Sequence, residues 1–320
     1  MRTTLALGLD LGGTKIAAGV VDSSGRLLSA VRVPTPAAGV KGDLAALFDV
    51  AQAAVRSAKV SWSRIRTVGV GVPGAFDPVT ETVWAPNLPG WTRTPLKCLL
   101  EKSLARPVYV EGDRNVQALA EAWMGVGRGQ PVQNLVFFTV GTGIGAGLIV
   151  DGKVVSGTRG LAGAAGWMAV SDEWHPMFAR IGCLESQGAG PAVARFAQRL
   201  LRENPRSMIK ILTEARGGRL TGEVVTEAAR QGDRVAREVL AEIGSNLGRG
   251  VANIVSLLNP EVVVLGGGLG GAGELILEPL RRAVRKWGQP LGARQVRIVR
   301  SQLGEDAGIL GAARYALIAC

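Results

Sequence analysis

The residues of this chain best suited to chemistry lie in two glycine-rich loops, each set directly after a short apolar run. The first is Asp10-Leu11-Gly12-Gly13-Thr14-Lys15; the second is Gly141-Thr142-Gly143-Ile144-Gly145. A glycine loop at the end of a strand lets backbone N–H groups approach a phosphate with no Cβ in the way. Neither loop is a dinucleotide fingerprint, because Gly13 leads into another apolar run and not into a helix. No G-x-x-x-x-G-K-[ST] run occurs. Two such loops would hold a nucleotide's phosphates from both sides, Thr14 and Lys15 adding a hydroxyl and a charge. Asp10, at the end of its run, would hold Mg²⁺ directly or through water.

The elements that must position these loops form a repeated unit. Apolar runs over 5–10, 16–22 and 26–33 are separated by the Gly12-Gly13 loop and by Ser23-Ser24-Gly25, which predicts strand, loop, strand, turn, strand. Helical periodicity follows over 43–58, with Asp43 placed to start it, and a strand over 67–72 closes on Pro73-Gly74. The pattern returns downstream with strands over 135–140, 146–150 and 153–156, the last pair joined by Asp151-Gly152. Helical stretches run through 223–258, a buried strand over 261–265 enters Gly266-Gly267-Gly268, and an apolar helix over 307–318 closes the chain. This duplication predicts two α/β lobes around a cleft. The lobes are expected to comprise 1–112 plus 305–320, and 113–304. The run Val108-Tyr109-Val110-Glu111-Gly112-Asp113 places Asp113 at a strand end beside a helix N-terminus, as an N-cap or as a site carboxylate.

Composition bounds the rest. With 320 residues, 47% hydrophobic and 20% charged, the chain is globular and not disordered. Three cysteines (Cys98, Cys183, Cys320) make no disulfide framework and fit a reducing, cytoplasmic interior. No apolar run of membrane-spanning length occurs. The net charge of +11 raises nucleic acid as a partner, but the arginines are scattered and no helix-turn-helix pattern precedes the first strand. Arg281, Arg282, Arg285 and Lys286 fall at helical spacing, as on a solvated face. No nucleic-acid or membrane partner is expected, and the charge suits anionic small molecules equally well.

Taken together, the loop at Asp10–Lys15, Ala85-Pro86-Asn87-Leu88-Pro89-Gly90-Trp91, the loop at Gly141–Gly145, Gly182-Cys183-Leu184-Glu185, and the run from Asn259 to Gly268 resemble the ROK family. That family holds ATP-dependent sugar kinases, glucokinases among them, and sugar-responsive repressors. The resemblance implies a duplicated actin-like ATPase (ribonuclease-H-like) fold. It also implies transfer of the ATP γ-phosphoryl group to a hexose or related sugar hydroxyl. The catalytic base is then Asp113. Nucleotide contacts fall to Asp10, Gly12, Gly13, Thr14, Lys15, Gly141, Thr142, Gly143, Gly266, Gly267 and Gly268. Sugar contacts fall to Asn87, Asp113 and Glu185, with ATP and Mg²⁺ as partners and a homodimer or tetramer as the assembly.

The chain departs from the family pattern on the sugar side. Gly112-Asp113-Arg114-Asn115 stands where the family has Asn-Asp-Ala-Asn, and Arg114 would either pair with an anionic substrate group or face solvent. Gly163-Ala164-Ala165-Gly166-Trp167 stands where the family has Gly-Glu-x-Gly-His. Each lost charged hydrogen bond would weaken sugar binding by about 1.5–3 kcal/mol. Pro176 and Phe178 replace two zinc-binding cysteines, so His175 and Cys183 alone cannot close a Zn²⁺ site, and no structural zinc is expected. Trp167, Trp174 and Phe178 would pack together in its place, or Trp174 would stand exposed. These departures favour a kinase with an altered acceptor. The alternative is a catalytically inactive ROK-type regulatory protein that binds sugar or nucleotide. Asp113, kept beside both loops, favours the kinase.

Overall fold

The computed structural model describes residues 3–320. Strands β1 (Leu5–Leu11), β2 (Lys15–Asp22), β3 (Val31–Pro34), β4 (Ile65–Val72) and β7 (Val108–Gly112) form one sheet in the order β3-β2-β1-β4-β7. Between β4 and β7 lies a small hairpin of β5 (Ala75–Asp77) and β6 (Thr82–Trp84). In the first sheet β2 runs antiparallel to β1 and β3, and β1, β4 and β7 are mutually parallel neighbours. The second sheet repeats the order with β10 (Lys153–Val154), β9 (Ile144–Val150), β8 (Leu135–Val140), β11 (Val262–Gly266) and β12 (Arg297–Arg300). Here too the β9–β10 pair is antiparallel and the β11–β12 pair parallel.

The residues of β1 explain how the first sheet is covered. Leu5, Leu7, Leu9 and Leu11 point to one face and pack with Leu47, Val50 and Ala54 of α1 (Gly39–Ser57) and Leu96 and Leu100 of α2 (Leu96–Leu104). The alternate residues are small. Ala6 packs with Ile309 and Ala313 of the C-terminal helix Ala307–Ala319. Added Cβ atoms at Gly8 and Gly69 would overlap the Ile309 and Ala312 carbonyls of that helix. At Gly311, a Cβ would overlap the Val116 carbonyl of α3 (Asp113–Trp123). Glycine therefore lets this helix lie at backbone distance from both sheet and neighbour, which no side chain would permit.

Two compact units result: the chain through Phe137 with Gly147–Gly163 and Gln302–Cys320, and Phe138–Ala146 with Ala164–Ser301. This division departs from the boundary expected at 112/113. The reason lies in α3 and the stretch Gly147–Gly163, which are bonded into the first unit. Asn115 Oδ1 accepts from Leu148 N–H at 3.2 Å, and Ser156 Oγ donates to Glu111 Oε2 at 2.6 Å.

Several element boundaries also differ from expectation. The third apolar run yields strand only over Val31–Pro34, with an isolated bridge between Val21 and Leu27. Asp43 does not start α1; the helix begins at Gly39, and Asp43 lies within it, fully buried. The stretch over 223–258 divides into helices Gly222–Arg230 and Arg234–Leu258, the second capped by Asp233. No helix is long and apolar enough to cross a membrane among the described residues, and all three cysteines are free.

Candidate active site

Asp10 and Asp113 come together at the ends of β1 and β7, the two strands that flank β4. The parallel registers align Asp10 with Gly71 and Gly71 with Glu111, two residues before Asp113. A Cβ at Gly71 would stand 3.4 Å from Asp10 Oδ1 and 3.8 Å from the Asp113 Cα, so the missing side chain lets Asp10 and Asp113 approach across this glycine. Asp10 also lies against the first turn of the C-terminal helix, where a Cβ at Gly308 would overlap its carboxylate. Burial, then repulsion from Asp113, pushes Asp10 up to about 7, against the pull of Lys15 and Arg32. Burial also raises Asp113, while the Arg114 guanidinium and the Arg114 N–H pull it back down.

Asp113 is the first residue of α3, and the cap position belongs to Gly112. Its Oδ1 accepts from Arg114 N–H at 2.7 Å, so it serves the helix start without leaving the sheet edge. Behind it, the buried Glu111 accepts from Gly112 N–H (2.7 Å), Asn115 Nδ2 (3.0 Å) and Ser156 Oγ (2.6 Å), and bonds Tyr315. Burial and the Glu111 carboxylate push the Tyr315 phenol up to about 12.

Asn87 stands exposed on the turn after β6, closed by Leu88 N–H to Ala85 O (3.0 Å) and Ala85 N–H to Trp91 O (2.8 Å). The turn is anchored by Trp91, buried with its indole N–H on Asp43 Oδ2 at 2.9 Å. Gly74, with φ +118°, backs onto the Trp84 carbonyl and Ala85, and its own carbonyl faces Gly112. Asn87 and Asp113 are thus carried by segments that meet at Gly74.

Arg114 neither faces solvent nor stands free for a substrate anion. Its Nη1 donates to Gly163 O (3.0 Å) and its Nη2 to Gly74 O (3.4 Å).

The first glycine loop is closed by Gly12 N–H to Lys15 O (2.9 Å) and held by Thr35, whose hydroxyl donates to Gly12 O (2.7 Å). Gly13 has open space where a Cβ would stand, and Thr14 is exposed. Lys15 pairs with Glu305 at 2.7 Å, and Arg32 pairs with Asp306.

In the second unit, Gly141, Thr142 and Gly268 line one cavity of about 970 Å³. Gly141 and Gly268 have nothing within 4 Å of an added Cβ, so both present bare backbone. Gly266 ends β11, and Gly267 turns the chain at φ +80° against the Val140 carbonyl. The remaining wall comes from residues the sequence reading missed, among them Pro191, Arg216, Arg219, Thr226 and Arg230. Only Gly190-Pro191, opening a helix, and the Gly217-Gly218 turn between two arginines mark this wall in the sequence.

Glu185, in the first turn of helix Cys183–Gly188, accepts from Ile144 N–H at 2.8 Å. A Cβ at Gly143 or at Gly166 would stand 2.9 Å from its Oε2, so this carboxylate is seated on the second glycine loop. Ala164 and Trp167 are exposed, Trp167 by 57%. Trp174 and Phe178 meet edge-on at 5.9 Å, yet Trp174 stays 72% exposed, so this pair is a surface contact and not a core. Cys183 Sγ accepts from Val170 N–H and Gln187 Nε2, and His175 Nδ1 from Met177 N–H. Among the described residues, no group of three or more His, Cys, Asp or Glu side chains is placed to hold a metal ion. The Arg281 and Arg282 face carries ion pairs to Glu274 and Glu278, as a solvated face does.

The family model "ROK family" matches residues 6–318. The chain is 36% identical to a glucokinase of Streptomyces coelicolor, over 98% of this chain and 97% of that one. Among solved structures it resembles a ROK hexokinase from Thermus thermophilus, at 35% identity and TM-score 0.79, covering 98% of each chain. It also resembles a ROK family glucokinase from Streptomyces griseus in complex with glucose and AMPPNP, at 34% identity and TM-score 0.78, covering 98% of this chain and 99% of that one.

Proposed function

The chain belongs to the ROK family, and on that premise we propose how its residues carry out the family's chemistry. The fold is the duplicated actin-like ATPase (ribonuclease-H-like) fold, and the protein is an ATP-dependent sugar kinase. The γ-phosphoryl group of ATP passes to a hydroxyl of a hexose, as in glucokinases, or of a related sugar. The hydroxyl oxygen bonds to the γ-phosphorus as the bond to the β–γ bridging oxygen breaks. ADP leaves, and the hydroxyl proton passes to Asp113. The observation that carries this assignment is Asp113 half-buried just after β7, close to Asp10 across Gly71. An ordinary carboxylate suffices as base, because the proton moves late in a loose phosphoryl transfer.

On the donor side, the bare backbone at Gly141 and Gly268 and the 970 Å³ cavity suit a nucleoside triphosphate. Thr142, Gly143, Gly266 and Gly267 shape that loop pair, and Gly12, Gly13, Thr14 and Lys15 form the second phosphate contact. Asp10 fits a magnesium ion: it is a hard oxygen donor, and its raised proton affinity marks a carboxylate short of positive charge. When bound, magnesium supplies neutralisation of phosphate charge.

On the acceptor side, Asn87 and Glu185 offer an amide and a carboxylate to sugar hydroxyls. Exposed Trp167 beside Ala164 supports an acceptor whose apolar face or substituent stacks on an indole. A cytoplasmic homodimer or tetramer, with no nucleic-acid partner, completes the reading.

The test is phosphoryl transfer from Mg²⁺-ATP across hexoses, N-acetylhexosamines and polyols, with Asp113→Asn as control. We expect turnover on at least one acceptor, with kcat lowered about 10²–10⁴-fold in the variant. ATP binding without turnover on any acceptor would make the protein a binding protein.

A further inference from the structure

Arg114 follows the base directly, so its backbone is set by the first turn of α3. Its own carbonyl lies against Gly147 of β9, where an added Cβ would overlap it. The side chain is only 20% exposed and makes three approaches: Gly163 O at 3.0 Å, Gly74 O at 3.4 Å and Asp113 Oδ1 at 3.8 Å from Nε. Each carbonyl belongs to a different segment. Gly74 adjoins Trp84 and Ala85, which lead into the Asn87 turn. Gly163 ends the loop in which Arg159 pairs with Asp77 at 2.8 Å and Gly160 packs on the Phe76 backbone. The next residue is Ala164. One planar guanidinium therefore joins the base, the Asn87-bearing hairpin and the segment that enters Ala164.

We propose that Arg114 is a positioning residue of the acceptor side, its guanidinium pinning the turns at Gly74 and Gly163 to the helix that begins with Asp113. The proposal rests on the kinase reading above. Two carbonyls in different segments need a donor with two diverging N–H groups in one rigid plane, which arginine has and lysine lacks. The fixed cation also stands 3.8 Å from the Asp113 carboxylate and favours its charged form against the burial that disfavours it. Carbonyls freed of this donor would relax independently, and the acceptor would meet a site whose two walls no longer hold a set spacing.

The experiment compares full-length wild type with Arg114→Lys and Arg114→Ala on the best acceptor of the panel, reading kcat and KM for acceptor and for ATP separately. Pinning predicts that both variants raise the acceptor KM roughly tenfold or more and lower kcat, with the ATP KM within about twofold of wild type. A general structural role would move both KM values together. Full rescue by Arg114→Lys would show that charge alone matters and would overturn the pinning claim. An acceptor KM unchanged in Arg114→Ala would overturn it outright. If the wild type proves inactive on every acceptor, the kinase reading fails first. Calorimetric titration of the same sugars into wild type and Arg114→Lys then decides the pinning by itself: roughly tenfold weaker binding in the variant supports it, and equal binding overturns it.

Discussion

Replacing Asp10 by asparagine is expected to stabilise the protein at pH 8 while abolishing phosphoryl transfer. Burial and Asp113 raise Asp10 from 3.8 to about 7. The folded chain then holds this proton more tightly than the unfolded chain does. The stability tied to the protonated form is complete below pH 4 and is lost as the pH climbs through the window up to about 7. Three units correspond to at most about 4 kcal/mol. The carboxylate is half-buried, so solvent reduces this, and we expect a gain of about 2 kcal/mol for Asp10→Asn above pH 7.5. That amounts to roughly 5 °C in Tm for a unit of this size. The assay is thermal unfolding of both proteins between pH 4.5 and 8.5, without nucleotide and with EDTA. The gap should be about a quarter of its full size at pH 4.5, widen through pH 6 and level off above pH 7.5. Mg²⁺-ATP should then raise the wild-type Tm and leave the variant nearly unchanged. A gap independent of pH, or a wild type that is the more stable at pH 8, would refute the reasoning.

Two further outcomes follow from the same geometry. Gly268→Val puts a branched side chain into the open space of the donor cavity, so the ATP KM should rise about tenfold or more with the acceptor KM unchanged; steady-state kinetics with each substrate varied would expose an error if the ATP KM stays put. Trp91→Phe removes the hydrogen bond to Oδ2 of the buried Asp43, whose Oδ1 has no partner among the described residues. Denaturant unfolding should register a loss of about 1–3 kcal/mol, and the double variant Trp91→Phe/Asp43→Leu should recover most of it; no recovery would mean that the loss comes from packing and not from the stranded carboxylate.

The repeated strand-and-loop unit was legible because its signals are local. Alternating leucines and small residues in β1, the glycines after each strand and the apolar C-terminal helix need only near neighbours to declare themselves. Boundaries were less legible. The run over 26–33 reads as a strand from its apolar residues, yet only Val31–Pro34 finds a long partner. Asp43 looks like a helix start because aspartate favours such positions, but its partner is an indole 48 residues away. The donor-cavity wall was missed for a similar reason: it is gathered from short segments between 141 and 272 that share no motif.

By itself, then, the sequence singled out the candidates for chemistry: Asp10, the two glycine loops, Asn87, Asp113 and Glu185, each marked by a run of neighbours. It also determined the duplicated α/β order, since strand alternation and helical periodicity act over a few residues. Only the tertiary structure decided what Arg114 does. Sequence left it between substrate and solvent, whereas its partners are backbone carbonyls 40 and 49 residues away. Backbone carbonyls carry no residue identity, so no spacing or motif announces them. A buried guanidinium must find acceptors, and which ones it finds depends on how distant turns pack against α3.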